Sequence, residues 1–321
     1  MSVRFSRFHA AARCMRAEKR RARPDPGLLL LVIPVAWGVT FPAAKLGLET
    51  MDLLPFMAWT RVLGFLTILI AIPLMARGEL TRQAMRRVAG PGVLLGTLIF
   101  LGYLLQTAGL ERTTATNAGF ITGLYVVFVP VLALLLFRRR TGWAAWVAVA
   151  VSLVGLALLS IPGLDDIRPR FGDLLVLAGA VAWAGHIVAI GHFSTRHSPI
   201  VLSLAQMAVT ASLHVIVSAP VGFDPEGALE IWHLLFITGV IGSGLGYTLQ
   251  VVAQESVSAT RAVVILAGES VAAAAFSYVW LQERLEPHQW LGAALVLTAM
   301  VISELGARRA SMEHLEPGTA L

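Results

Sequence analysis

Ten long apolar segments alternate with short polar connections along this chain. A helix rises about 1.5 Å per residue, so about 20 mostly apolar residues cross the hydrocarbon core of a bilayer, which is about 30 Å thick. The pattern therefore predicts an all-α membrane protein with ten transmembrane helices. We place these helices at Leu28–Leu46, Leu54–Met75, Pro91–Leu110, Thr116–Phe137, Trp143–Ile161, Gly172–Phe193, Ile200–Ala219, Ile231–Ala253, Ala262–Leu281 and His288–Leu305.

The composition agrees with a membrane environment. Of the 321 residues, 57% are hydrophobic and only 14% are charged, and the mean hydropathy is +0.75. A soluble domain could not bury that much apolar surface, so the lipid bilayer is a predicted partner. The single cysteine, Cys14, excludes a disulfide within the chain and a metal site built from cysteines. We predict no metal and no cofactor.

The positive charges are distributed unevenly between the two sides of the predicted membrane. If the N-terminus is cytoplasmic, 19 of the 25 Lys and Arg residues lie on the cytoplasmic side and five lie outside. This bias predicts an inner-membrane protein with both termini in the cytoplasm. Eight of these cations precede the first span, where they fit a cytoplasmic flank better than a nucleic-acid site. A cleaved targeting peptide, or a true start at Met15, remains an alternative for this tail.

Two parts of the sequence repeat each other. The hexapeptide Leu101–Gln106 recurs as Leu245–Gln250 at an offset of 144, and Val35–Gly38 resembles Val181–Ala184 at an offset of 146. Five spans per half is an odd number, so the second half must enter the membrane from the opposite side. Such inverted repeats allow alternating access to a site near the midplane. The predicted divisions are a basic tail (1–26), a first repeat (27–161), a linker (162–171), a second repeat (172–306) and a C-terminal tail (307–321).

Several motifs resemble a known family. The Ala-Trp pair in the first helix of each half and the stretch Gly109–Ile121 are similar to the EamA-type drug/metabolite transporters. The segments Ala267–Val271 and Leu281–Leu285 resemble that family's ninth helix, which usually reads Glu-Pro-Val and ends in Gly-Glu-Arg-Leu. Here Ser270 replaces the proline, which puts a kink in doubt, and Gln282 replaces the glycine. The resemblance implies an exporter of amino acids or other small metabolites.

Two charged residues, Glu269 and Arg61, lie well inside predicted spans and away from their ends, where a charge costs roughly 2.5 to 3.5 kcal/mol on insertion scales. Glu269 is expected to contact a substrate cation, to take up a proton, or to hydrogen-bond to a neighbouring helix. Arg61 is expected to counter a substrate carboxylate or to form an ion pair with Glu269 that locks helices together. Gln206 occupies the position that matches Arg61 in the second repeat.

Other candidates come in symmetry-related pairs. Tyr103 and Gln106 share one face of the third helix, as Tyr247 and Gln250 do in the eighth. These four side chains are candidates for lining one cavity, although glutamine also joins helices in membrane bundles.

Aromatic and histidine side chains complete the candidate binding site. Trp37 and Trp183 are symmetry mates that suit apolar or cationic substrates; plain packing is the alternative for both. His186 shares a face with Trp183 and is either a titrating group or a satisfied core histidine. Lys45 is a weak candidate, because it can extend to the interface. Three glycine pairs predict close helix contacts: Gly92 with Gly96, Gly119 with Gly123, and Gly242 with Gly246.

The function classes can be ranked from these features. The sequence has neither a metalloprotease motif nor a phosphate-binding loop, so a membrane-embedded enzyme is the weaker alternative and ATP hydrolysis is not expected. A channel would be expected to have a lining ring of charges or carbonyls, and the sequence gives no sign of one. The predicted function is a secondary transporter that exports a small metabolite such as an amino acid, driven by a gradient, with proton coupling at Glu269 as one option. A cationic drug-like compound is the second substrate class.

Overall fold

The computed structural model describes residues 26–75, 78–138, 141–160 and 171–313, and within these ranges it contains helices and no strand. The first repeat begins with α1, which has two parts, Pro26–Gly38 (α1a) and Thr40–Thr50 (α1b). It continues with α2 (Leu53–Met75), α3 (Arg82–Leu110), α4a (Ala115–Gly123), α4b (Tyr125–Phe137) and α5 (Trp143–Ser160). The predicted tail and nearly all of the predicted linker lie outside the described residues.

The second repeat has the same order of helices. It comprises α6 (Phe171–Phe193), α7 (Pro199–Ser218), the three parts of α8, which are Trp232–Leu235 (α8a), Phe236–Gly246 (α8b) and Tyr247–Gln254 (α8c), then α9a (Ala259–Leu266), α9b (Gly268–Trp280) and α10 (Pro287–Glu313). A short helix, Pro225–Glu230, precedes α8. Nine helical stretches of the described chain are long and apolar enough to cross a membrane, and the shorter apolar helix Trp143–Leu158 is the tenth. The predicted fold class is confirmed.

The distribution of polarity is that of a membrane protein. Large apolar side chains such as Ile70 and Leu135 are 74% and 70% exposed on the outside of the bundle. Polar side chains such as Gln206 and Ser243 are fully buried inside it. Lipid solvates the apolar exterior, whereas polar groups must find partners inside the protein or in a wet cavity.

Four of the ten spans are not regular helices. Pro42 lacks the amide that would bond the carbonyl of Gly38, and α1 is interrupted at Val39. Span α4 is interrupted at Leu124, and span α9 is interrupted at Ala267. The separation of these two positions differs by one residue from the 144-residue offset of the repeat. The α9 interruption is present although Ser270 stands where the related pattern has proline. In α8b the helix is a π-helix, a rare form that is frequent at functional sites.

The predicted glycine pairs mark contacts between the repeats. A Cβ on Gly92 would lie 2.6 Å from the Cβ of Ala205, so α3 approaches α7 closely. A Cβ on Gly119 would lie 2.8 Å from the Cβ of Ala273, and one on Gly242 would lie 2.6 Å from Cγ2 of Thr40. These contacts join α4 to α9 and α8 to α1. Each pair therefore brings a helix of one repeat against a helix of the other, and the space between them forms at their junction.

Polar contacts join the repeats at the end of the bundle that is predicted to face outward. The carboxylate of Glu283, after α9, accepts hydrogen bonds from the amides of Ala115 and Thr116, both at 3.2 Å, and so caps α4a. Asp173 accepts from Thr113 and Asn117 in the same region. Lys45, the weak site candidate, donates to three carbonyl oxygens at the end of α3 and does not line the central cavity. Its role in the fold is to cap that helix.

Candidate functional site

A cavity of about 50 Å³ lies between the two repeats. Every candidate residue except the weak candidate Lys45 lines it, namely Trp37, Arg61, Tyr103, Gln106, Trp183, His186, Tyr247, Gln250 and Glu269. Eight further residues complete its wall, namely Thr40, Phe41, Thr122, Tyr125, Ile187, Thr238, Gly242 and Ser243. Helices α1, α2, α3 and α4 of the first repeat and α6, α8 and α9 of the second contribute to this wall. The cavity is therefore shared by the repeats, as an alternating-access site requires.

Arg61 is the cation in this wall. It is 2% exposed, and its guanidinium carbon lies 3.7 Å from the centre of the Tyr103 ring. No ion pair joins it to Glu269, so the predicted locking pair is not formed, because α2 directs Arg61 against α3 instead. A desolvated cation–π contact contributes about 2 kcal/mol, whereas burying an ion costs several kcal/mol. The ring therefore offsets only part of the cost, and an anionic group in the cavity would offset more.

Glu269 is the carboxylate in this wall. It is 3% exposed and is the second residue of α9b, near the middle of the span Ala259–Trp280. The hydroxyl of Tyr125 lies close to this carboxylate but outside hydrogen-bond geometry, and Oε1 of Glu269 has no hydrogen-bond partner in the protein. Tyr125 is the first residue of α4b, so both side chains come from the start of a half-helix at equivalent places in the two repeats. Interrupted helices of this kind form the binding sites of many transporters.

The aromatic wall is organised around Tyr247. Its ring centre lies 5.3 Å from that of Trp37 and 5.8 Å from that of Trp183, which is stacked on it at an interplanar angle of 21°. The His186 ring meets it edge-on at 5.8 Å, and the guanidinium of Arg61 lies 5.9 Å from its centre. Tyr247 therefore connects the two symmetry-related tryptophans with the cation. Rings in these positions give the cavity an apolar face that also tolerates positive charge.

The two glutamines of the repeated hexapeptide differ in their contacts. Oε1 of Gln106 accepts a 2.6 Å hydrogen bond from the indole of Trp183, so Gln106 both lines the cavity and joins α3 to α6. Gln250 is fully buried, and neither its Oε1 nor its Nε2 has a partner in the protein. The indole of Trp37 donates to the carbonyl of Gly242 at 2.9 Å and leaves Gln250 unbonded. A buried amide without a partner costs about 1 to 3 kcal/mol for each unpaired group.

His186 is held by the symmetry mate of Arg61. Its Nε2 lies 3.0 Å from Oε1 of Gln206 on α7, while its Nδ1 has no partner in the protein. The histidine is thus bonded to a core residue through one ring nitrogen, and it also lines the cavity. The positions that match in the repeats have diverged: Arg61 faces the cavity directly, and Gln206 supports a residue that does.

Sequence reasoning missed several cavity residues that the repeat could have revealed. Tyr125 matches Glu269 at the offset of 144, and Thr40 matches His186 at the offset of 146. Applying each offset to the candidates already named would have found both. His214 gave no such signal. It lies outside the cavity wall, fully buried beside Tyr103, with the two ring centres 5.9 Å apart.

Comparisons with known proteins agree with this architecture. The model of the EamA-like transporter family matches the chain twice, over residues 26–161 and 170–304. An uncharacterized transporter of Archaeoglobus fulgidus is 33% identical over 290 residues, which cover 89% of this chain and 87% of that protein. A probable amino-acid metabolite efflux pump of Escherichia coli is 27% identical, over 88% of this chain and 95% of the relative. A threonine/homoserine exporter of the same organism is 26% identical, over 68% of this chain and 71% of that exporter.

A solved crystal structure shares the fold. It superposes with a TM-score of 0.72 at 18% identity and covers 90% of this chain and 98% of its own. Two matches to one family model, one in each five-helix half, correspond to the internal repeat. The chain belongs to the EamA-like transporter family.

Proposed function

We propose that this chain is a secondary transporter of the inner membrane that exports small zwitterionic metabolites, with amino acids as the first substrate class. One observation carries the proposal: a single cavity shared by the two repeats contains a cation and a carboxylate that are not paired with each other. A zwitterion supplies the opposite charge to each of them.

The recognition follows from the chemistry of the two groups. The guanidinium of Arg61 presents a planar fork of donors that matches a carboxylate, and two of its nitrogens, Nε and Nη1, have no protein partner. The Glu269 carboxylate accepts from an ammonium group. The rings of Trp37, Trp183 and Tyr247 then surround the substrate's remaining atoms. Charge-assisted hydrogen bonds of this kind contribute about 1.5 to 3 kcal/mol each.

Export by alternating access is supported by the inverted repeats and by the family. Related halves that enter the membrane from opposite sides give one chain two near-equivalent states around a fixed site. Two relatives are named as an amino-acid metabolite efflux pump and a threonine/homoserine exporter. In the proposed cycle Glu269 exchanges a proton for the substrate ammonium group, which would couple export to the proton gradient.

A cationic drug-like compound is the second candidate. The aromatic wall and the Glu269 carboxylate favour it, because tryptophan and tyrosine faces attract cations. Arg61 opposes it, because the guanidinium faces the same cavity and no carboxylate of the described chain pairs with it. The zwitterion satisfies both charges, whereas the cation satisfies one and is repelled by the other.

The test is a flux screen with the full-length protein in proteoliposomes. For each amino acid, transport is compared with that of its amide, which lacks the carboxylate, and its N-acetyl derivative, which lacks the ammonium group. We expect the free amino acid to be transported with at least tenfold higher kcat/KM than either derivative. Equal or faster transport of the amide would favour the cationic substrate class. No selective flux of any of the three would refute the proposed function.

A further inference from the structure

The symmetry of the cavity is broken at its two glutamines. In the first repeat Gln106 accepts a hydrogen bond from the Trp183 indole, 2.6 Å away. The equivalent bond in the second repeat would join the Trp37 indole to Gln250, but Trp37 donates instead to the Gly242 carbonyl at 2.9 Å. Two side chains at matching positions of a repeated hexapeptide thus have different partners.

The π-helix α8b explains this difference. A π-helix pairs each carbonyl with the amide five residues later, so the Gly242 carbonyl would pair with the amide of Tyr247. That amide donates instead to Ser243, four residues back, where the helix returns to α-helical geometry. The Gly242 carbonyl does not receive that π-helical bond, and it accepts from the Trp37 indole. The matching stretch of the first repeat lies within the regular helix α3 and offers no such carbonyl.

The consequence is a neutral amide with free donors and a free acceptor in the cavity wall. Gln250 is fully buried, lines the cavity, and has no protein partner at Oε1 or at Nε2. Buried polar groups need a partner, and the group that enters this cavity is the substrate. Arg61 and Glu269 are matched to the two charges of an amino acid, so the neutral amide is matched to a neutral polar group of its side chain.

We infer that Gln250 is the specificity-determining residue of the site and selects amino acids whose side chains carry a hydroxyl or a carboxamide. Both groups donate and accept a hydrogen bond and so complement an amide. An aliphatic side chain of the same shape would leave the buried amide unpaired, and sites built to hydrogen-bond a substrate reject the analogue that lacks the group. This inference rests on the proposed transport of amino acids and adds the side-chain class.

The experiment measures transport of two pairs of nearly isosteric amino acids in proteoliposomes: threonine with valine, and asparagine with leucine. Wild-type protein is expected to prefer the polar member of each pair by at least tenfold in kcat/KM, which is about 1.4 kcal/mol. Gln250→Met keeps the length of the side chain and removes the amide, and should reduce the preference to less than twofold, chiefly by improving transport of the aliphatic member.

Gln106→Met is the matched comparison, because Gln106 occupies the equivalent position but is bonded to Trp183. It is expected to lower the thermal midpoint and the transport of all four amino acids while the preference ratio is retained. If Gln250→Met fails to fold, Gln250→Leu, which also removes the amide, should reduce the preference in the same way.

The outcomes separate the two proposals. If the wild-type protein transports neither these four amino acids nor any other amino acid, the proposed function fails. If it transports them without preference, or if Gln250→Met keeps the wild-type ratio, amino-acid transport stands and the role of Gln250 is overturned.

Discussion

The guanidinium carbon of Arg61 lies 3.7 Å from the centre of the Tyr103 ring, on the neighbouring helix of the same repeat. An ion pair with Glu269 would have neutralised both charges inside the protein. Contact with a ring leaves the positive charge without a counter-ion and holds the guanidinium in one place beside the cavity. The contact therefore prepares Arg61 to bind an anionic group in the cavity.

Replacing Arg61 by glutamine should weaken transport in a substrate-dependent way. Loss of one charge-assisted contact, at about 1.5 to 3 kcal/mol, predicts a 10- to 100-fold fall in kcat/KM for a free amino acid. The amide of the same amino acid has no carboxylate to lose, so its transport should change less than about threefold. Arg61→Lys keeps the charge without the fork and should fall between these values. An equal loss for the amino acid and its amide would assign Arg61 a purely structural role.

Glu269→Gln should separate exchange from energy coupling. The neutral amide cannot carry a proton and binds the substrate ammonium group less tightly. The variant should therefore show counterflow only at a higher substrate concentration than wild type, and should show no accumulation driven by a pH gradient. Glu255→Gln, an exposed change after α8, is the matched control and should behave as wild type. Vesicles are assayed with and without the gradient. Accumulation at the wild-type level in Glu269→Gln would show that another residue couples transport.

Gln282 offers a test of stability away from the cavity. Its φ is +56°, in the left-handed region that favours glycine, which is the residue found here in the related pattern. Gln282→Gly should raise the free energy of unfolding by about 0.5 to 1 kcal/mol, because relief of strain exceeds the added chain entropy. Gln282→Ala keeps the strain and should give no gain. Thermal midpoints of the purified variants in detergent provide the measurement, and a gain equal in both would exclude backbone strain as the cause.

The cation bias predicts the orientation of the chain. Two reporters are fused in turn after Leu321. A reporter that fluoresces only in the cytoplasm should be active there, and a reporter that is active only after export should be inactive. The same reporters placed in the loop after Met51, which is predicted to lie outside, should give the opposite result. A periplasmic C-terminus would reverse the proposed topology and the assignment of the Glu283 and Asp173 contacts to the outer face.

The fold was predictable to a large extent because its signals are local. The length of an apolar run determines whether it spans a bilayer, and the copy of Leu101–Gln106 at Leu245–Gln250 identifies the repeat without any knowledge of contacts. The same logic predicted the candidate site, since polar groups in lipid must face the interior. Tyr125 was missed because placing a tyrosine in a membrane span costs little free energy, so the residue type alone does not indicate a functional role. The repeat nevertheless pairs it with Glu269.

The sequence by itself determined the ten spans, the two related halves and the set of polar residues that gather between them, because these follow from hydropathy and from internal similarity. Only the tertiary structure decided how those residues are used. It stacks Arg61 on Tyr103 instead of pairing it with Glu269, bonds Gln106 but not Gln250, and turns α8b into a π-helix. These outcomes depend on helix rotation and on the close approach of helices far apart in the chain, such as α1 to α8, which no local pattern encodes.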